Sequence, residues 1–335
     1  MKAIGFRNAG PVDTLIDLDL PAPQPGPRDL VVKVEAVSVN PVDVKVRAGS
    51  QPAEGQSRIL GFDAAGTVQA VGSEVTLFQP GDQVFYAGQI DRPGSNSELH
   101  LVDERIVGRK PASLSFAEAA ALPLTAITAW ELLFDRLAVP YGVKTQMGTL
   151  LILNGAGGVG SILIQLARKL TGLTIIATAS RPETEAWVKQ MGAHHVINHH
   201  KPLPEELKRI GIPQVDYVAS LTGTDKQLPV LPEIIAPQGK LALIDDPESL
   251  NIRPFKMKSI TVAWELKFTR PMFKTADMIE QHRLLNEVAD LVDAGVLRTT
   301  LTADLGKITA GNLQRAHKIV ESGSAIGKSV LGGGF

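Results

Sequence analysis

The sequence contains no cysteine. Disulfides, thiolate nucleophiles and cysteine-based zinc sites are therefore excluded, and a cytoplasmic location is expected. Neither sign of charge is in excess: 34 basic against 35 acidic residues leave a formal charge of −1. Such a balance does not favour nucleic acid or an anionic membrane as a main partner. The apolar runs are short and interrupted, so no membrane span is expected. The first residues, Met1–Lys2–Ala3–Ile4–Gly5–Phe6, read as a strand and not as a secretory leader. There is no GxSxG, HExxH or Walker loop, so hydrolase and phosphotransferase chemistry lack a nucleophile or a cradle. Internal repeats and low-complexity segments are absent too, apart from the short Gly332–Gly333–Gly334 end.

What is present describes a soluble globular protein. The 335 residues are 44% hydrophobic and 21% charged, enough chain for two domains with large cores. The first ~120 residues are rich in Gly, Pro and short β-type runs such as Leu30–Val37 and Gly66–Val71, which predicts an irregular β-rich domain. From Phe116 the pattern turns helical, to about Val139. Strands then alternate with helices: Thr149–Asn154, Thr174–Thr178, His195–Asn198, Val215–Ser220, Lys240–Ile244 and Ile260–Trp264. That alternation predicts an α/β fold with a doubly wound parallel sheet. Helices near Gln281–Ala294 and Thr309–Glu321 and a strand near Lys328–Leu331 are read as rejoining the first domain.

The strongest chemical signal is Gly155–Ala156–Gly157–Gly158–Val159–Gly160. It follows the apolar run Leu150–Leu153 and opens a helical stretch at Ser161. Strand, glycine turn and helix make an anion site. Gly155 is expected to allow the tight turn, Gly157 the approach of a pyrophosphate, and Gly160 close packing of helix on strand. The backbone N–H groups of the helix start, including Gly158 and Val159, then face the phosphates. About 20 residues on, an NAD site usually carries Asp or Glu for the ribose 2′-hydroxyl. Here Ala179–Ser180–Arg181–Pro182 follows the second strand. Ser180 can donate a hydrogen bond and Arg181 can pair with a 2′-phosphate, so NADP(H) is the expected cofactor. Two histidine pairs, His194–His195 and His199–His200, flank a short strand whose period would scatter the rings, so they are not read as a metal site.

These features resemble the medium-chain dehydrogenase/reductase superfamily, near its zinc-type alcohol dehydrogenase-like and quinone oxidoreductase members. The landmarks are Val39–Asp43, Leu60–Val68, Pro80–Val84, Ala121–Ala126, Gly155–Gly160 and Trp264–Arg270. The resemblance implies a Rossmann doubly wound parallel sheet over residues 125–270 and a β-rich GroES-like catalytic domain formed by 1–124 and 271–335, with the nicotinamide in the cleft between them. It implies a homodimer joined at Ile260–Ala263. It also places Asn40, Phe62 and Leu124 where zinc-dependent members hold their metal, and none of these residue types suits catalytic zinc. No metal is expected.

Zinc-free members reduce quinones and activated carbonyls or alkenes, whose conjugation spreads the charge left by hydride addition. By the same resemblance Asn40 and Lys45 are the catalytic candidates, as donors to the acceptor oxygen. Thr128, Leu221, Thr222, Ile244 and Phe268 are expected to contact the cofactor, and His199 to flank its 2′-phosphate. Asp43 and Asp63 are read as structural, and Trp130 and Trp264 as core or wall aromatics. The expectation is a zinc-independent, NADPH-dependent quinone reductase. An alkenal/enone reductase and a non-catalytic NADPH-binding protein, crystallin-like or RNA-binding, are the alternatives.

Overall fold

Alternating and fully apolar runs pair into strands along the first third of the chain. These are β1 (Lys2–Phe6), β2 (Ile16–Asp19), β3 (Asp29–Ser38), β4 (Arg58–Ile59), β5 (Ala64–Val71), β6 (Gln83–Tyr86), β7 (Leu99–Asp103) and β8 (Val107–Arg109). The alternating strands β9 (Thr149–Leu153), β10 (Thr174–Thr178), β11 (His195–Ile197), β12 (Val215–Ser220), β13 (Ile235–Leu243) and β14 (Thr261–Trp264) follow, and then β15 (Leu301–Asp304) and β16 (Lys328–Leu331). The structure is a computed structural model that describes all residues, 1–335. The chain divides into two units, one of Met1–Ile127 with Phe268–Phe335 and one of Thr128–Lys267.

The first unit is built on β3. Leu30, Val32, Val34 and Ala36 on one face and Val31 and Val37 on the other are all buried, so both faces of this strand are covered. It pairs antiparallel with β5, β7 and β16, within a sheet of order β15-β16-β3-β5-β6-β8. A smaller sheet, β2-β1-β4, completes the strands of this unit.

The second unit is one parallel sheet of order β11-β10-β9-β12-β13-β14. The order reverses between β9 and β12, and in such sheets ligands sit beyond the carboxyl ends of the strands at that point. Leu151, Leu153, Ile176, Val218, Leu241 and Leu243 form its core. Strands covered on both faces read as unbroken apolar runs, which made them legible. β13 starts at Ile235, earlier than the expected Lys240, because Pro237 and Gly239 disguise its first half; Gln238 takes φ 62 there. The long apolar stretch Phe116–Arg136 has the length to cross a bilayer, but it is 78% buried, as a core helix would be.

The unit junctions, Ile127/Thr128 and Lys267/Phe268, each lie three residues from the expected boundaries. The shift moves Phe268 into the unit that carries Asn40.

Candidate functional site

β9 ends at Leu153, and the next residue makes the turn. Asn154 takes the left-handed φ of 63, which asparagine tolerates better than most residues. Its N–H donates to Thr178 Oγ1 (2.8 Å), and the Gly155 N–H donates to the Thr178 carbonyl (3.1 Å). The turn freedom expected of Gly155 therefore falls on Asn154. Gly155 is needed for a steric reason: a Cβ there would lie 2.8 Å from Ala177 Cβ and 3.3 Å from Val188 Cγ1. Gly160 is tighter still, because its Cβ would lie 2.5 Å from the Gly155 carbonyl oxygen.

Gly157 caps the helix Gly158–Leu170. The nearest atom to a Cβ on Gly157 would be Asn154 Nδ2, at 3.4 Å. Gly158 and Val159 lie in the first turn, where backbone N–H groups have no partner within the helix. A pyrophosphate fits this cradle, which offers backbone donors with no Cβ before them.

The other expected cofactor residues of this unit line the same sheet edge. Ser180 and Arg181 follow β10, His199 follows β11, Leu221 and Thr222 follow β12, and Ile244 follows β13. Arg181 caps the helix Pro182–Met191; its N–H donates to Thr184 Oγ1 (3.1 Å) and its Nε pairs with Glu183 (3.0 Å). His199 Nδ1 meets Thr178 Oγ1 at 3.2 Å. Burial, and then the neighbouring His200, hold its pKa below the ordinary histidine value. Leu221 is buried and Thr222 exposed, and the Ile244 N–H donates to the Ser220 carbonyl (3.2 Å). Asp245, read from sequence only as the end of that strand, ties the two loops together by accepting from the Thr224 N–H (2.9 Å) and hydroxyl. Thr128 is buried on the helix Pro123–Trp130. Trp264, expected as a core or wall ring, is 52% exposed on the edge strand β14.

Asn40, Lys45 and Phe268 lie in the other unit. Asn40 precedes the helix Pro41–Gly49 and is buried. Its Nδ2 donates to Asp63 Oδ2 (2.7 Å), and its Oδ1 accepts from Lys328 Nζ. Lys328 also donates to the Val39 carbonyl (3.0 Å) and to Asp63 Oδ2 (3.1 Å). Asp63 collects two more donors, the Ser38 hydroxyl (2.9 Å) and the Leu124 N–H (2.7 Å). Asp63 is thus the hub of a buried polar network that fixes both ends of the Asn40 amide.

Asp43 accepts from the N–H groups of Asn40 (2.9 Å) and Gly61 (3.0 Å). Burial nevertheless pushes its carboxyl up to about 7. Lys45 is exposed on its helix. Phe268 is buried edge-on against Phe62, ring centres 5.2 Å apart. Lys328 was missed from sequence; the available signal was a lysine opening a strand whose every residue is buried.

Catalytic zinc does not fit. Phe62 and Leu124 carry no ligand atom on their side chains, and both ends of the Asn40 amide are engaged. No three His, Cys, Asp or Glu side chains come together as a ligand set.

Two family models match the chain: an alcohol dehydrogenase GroES-like domain over residues 26–128 and a zinc-binding dehydrogenase domain over 158–285. A zinc-type alcohol dehydrogenase-like protein of Staphylococcus aureus is 43% identical, with 99% of each chain covered. A quinone oxidoreductase of Pseudomonas aeruginosa is 30% identical over 98% of this chain and 99% of its own. A 2-methylene-furan-3-one reductase of Solanum lycopersicum is 37% identical over 62% of this chain and 54% of its own. Among solved structures, a Rhizobium etli protein described as a candidate zinc-dependent alcohol dehydrogenase is 56% identical with TM-score 0.94, covering 99% of this chain and 98% of its own. The Escherichia coli quinone oxidoreductase complexed with NADPH is 26% identical with TM-score 0.84, covering 99% of both chains. With its GroES-like and Rossmann parts in that order and whole-length relatives on both branches, the chain belongs to the medium-chain dehydrogenase/reductase superfamily as an oxidoreductase of the zinc-type alcohol dehydrogenase-like and quinone oxidoreductase group.

Proposed function

We propose that this protein is a zinc-independent, NADPH-dependent reductase of quinones or related activated carbonyls and alkenes, acting in the cytoplasm. The observation that carries the proposal is a contrast within one chain. The phosphate cradle at Gly155–Gly160 is intact, while Asn40, Phe62 and Leu124 stand at the expected metal positions. In this reading Gly157, Gly158 and Val159 hold the pyrophosphate, Ser180, Arg181 and His199 hold the 2′-phosphate, and Thr128, Leu221, Thr222, Ile244 and Phe268 contact the rest. When bound, the cofactor supplies a hydride. The protein must then stabilise the charge left on the acceptor without a Lewis acid. Asn40, fixed by Asp63 and Lys328, and Lys45 are the groups proposed to donate toward that oxygen. The enone reductase reading draws support from the 2-methylene-furan-3-one reductase relative.

NADPH consumption followed with a panel of quinones and enones tests the reading. Turnover of quinones by protein free of zinc supports it, and preference for enones selects the second reading. No turnover of any acceptor alongside tight NADPH binding would make the chain a non-catalytic binding protein. A zinc ion needed for activity would overturn the metal-free chemistry.

The proposal extends to a homodimer. β14 is the sheet edge, and Trp264 on it and Leu266 just after it are each 52% exposed. An edge strand beside exposed apolar side chains suits pairing with a second copy. A monomeric mass by light scattering at micromolar concentration would refute it.

A further inference from the structure

Thr178 is the last residue of β10, and its hydroxyl is buried between two partners. It accepts the Asn154 N–H at 2.8 Å, and it meets His199 Nδ1 at 3.2 Å. The parallel register that sets Thr178 beside Ile197, with the Ala179 N–H donating to the Ile197 carbonyl (3.0 Å), brings the ends of β10 and β11 together. A chain of contacts therefore runs from the turn of the pyrophosphate cradle to the imidazole expected beside the 2′-phosphate.

The chemistry of this chain assigns the protons. The Thr178 oxygen receives one hydrogen from Asn154, so its own hydrogen is free to point at Nδ1. A neutral His199 then carries its hydrogen on Nε2, the nitrogen without a hydrogen bond inside the protein. A charged His199 reverses the contact: Nδ1–H donates to the second lone pair of Thr178, and Nε2–H stays available. In both states the ring offers a donor from Nε2, and only the charge changes. The titratable group against it is His200, with ring centres 4.6 Å apart; Lys201 follows on its own loop, and Arg181, paired with Glu183 at 3.0 Å, stands just beyond the neighbouring strand β10. Burial and then the neighbouring His200 lower the pKa of the ring, which favours its neutral form before any ligand binds.

We infer that His199, held through Thr178, makes recognition of the 2′-phosphate proton-coupled, so that NADPH binds with uptake of a proton and NADH does not. The inference rests on the NADPH reading above. A phosphate monoester dianion beside the ring favours the charged imidazole, whereas the 2′-hydroxyl of NADH has no charge to do so. Linkage then makes NADPH affinity fall as pH rises from about 6 to 8, by at most about tenfold per pH unit. The phosphate's own second ionisation, near pH 6, acts in the opposite direction. The comparison must therefore be made against a variant that keeps the phosphate and loses the imidazole.

Calorimetric titration at pH 6.5 in two buffers of different ionisation enthalpy counts the protons directly. The titrants are NADPH and NADH; the proteins are wild type, His199→Gln and Thr178→Val. Wild type should take up a fraction of a proton with NADPH and none with NADH. His199→Gln should lose the NADPH uptake while keeping NADH affinity, which also shows that its cradle is intact. Thr178→Val, which removes the contact to Nδ1, should change the amount taken up. Equal uptake in wild type and His199→Gln, or equal uptake with both cofactors, would overturn the inference while leaving the NADPH reading standing. Failure to bind NADPH at all would overturn both.

Discussion

The glycine turn makes a prediction that separates folding from binding. Gly157→Ala and Gly160→Ala add the same methyl group three residues apart. At Gly160 the new Cβ would lie 2.5 Å from the Gly155 carbonyl oxygen and 2.7 Å from the Gly155 Cα, which are backbone atoms that no rotamer change can clear. Overpacking of this kind costs about 1–3 kcal/mol. At about 2–4 °C per kcal/mol, the melting temperature of Gly160→Ala should fall by roughly 2–12 °C. At Gly157 the backbone is extended (φ −71, ψ 177) and the nearest neighbour would be 3.4 Å away. Alanine adopts that conformation, and the unfolded-state gain of about 0.4–1 kcal/mol offsets its poorer capping. Gly157→Ala should melt within about 2 °C of wild type and yet bind NADPH and NADH equally poorly, because the methyl group occupies the approach to the pyrophosphate. Differential scanning calorimetry and fluorescence titration with both cofactors provide the test. A stable Gly157→Ala protein with unchanged affinity would refute the cradle. An unaltered Gly160→Ala protein would refute the packing argument.

Arg181→Ala should weaken NADPH by about tenfold, the low end for a charge-assisted hydrogen bond, because its side chain is 40% exposed and shared with Glu183. NADH affinity should not move, and a parallel loss for both cofactors would instead indicate damage to the fold. Lys328→Met leaves Asp63 charged and buried without its cation, so urea denaturation should show a loss of about 3–5 kcal/mol; a loss below about 1 kcal/mol would mean the pair is dispensable. Glu265, buried between Glu131 and Arg136, has its carboxyl pushed up to about 9, chiefly by burial. Its folded pKa lies above its unfolded value, so the wild-type protein loses stability as pH rises from about 4.5 to about 9. Glu265→Gln should therefore stabilise the protein at pH 8 and make little difference at pH 4. Stability differences independent of pH would refute that assignment.

The second unit was legible because its information is local. Most strands carry an apolar run, the turn after β9 carries its own glycines, and the cofactor candidates follow strand ends read in order. The details that escaped were exchanges between neighbours. Asn154 takes the strained turn conformation credited to Gly155, and Gly155 serves packing against Ala177 and Val188. The Asn40 site was legible only in part. Asn40 and Asp63 stand out as polar residues in apolar surroundings, but Lys328 is 265 residues from Asp63, and its one local signal, a lysine opening a buried strand, does not say which residues it meets. Trp264 lies outside the core, and its local sequence does not show this, because an aromatic at the end of an edge strand looks the same in sequence as one inside it.

The pairing of β16 with β3 has a consequence for synthesis. Val330 sits opposite Ser38, and Lys328 reaches Val39, Asn40 and Asp63, so the end of β3 waits for a residue made 289 positions after Val39. Residues 128–267 contain every strand of their own sheet and are complete much earlier. On the ribosome the second unit can fold first, while β3 is unpaired on one side at Val37–Ser38 and Asp63 lacks its cation. Translation that stops before codon 328 would leave a chain with one finished unit and a buried carboxylate without its cation in the other, the kind of species that chaperones and proteases clear.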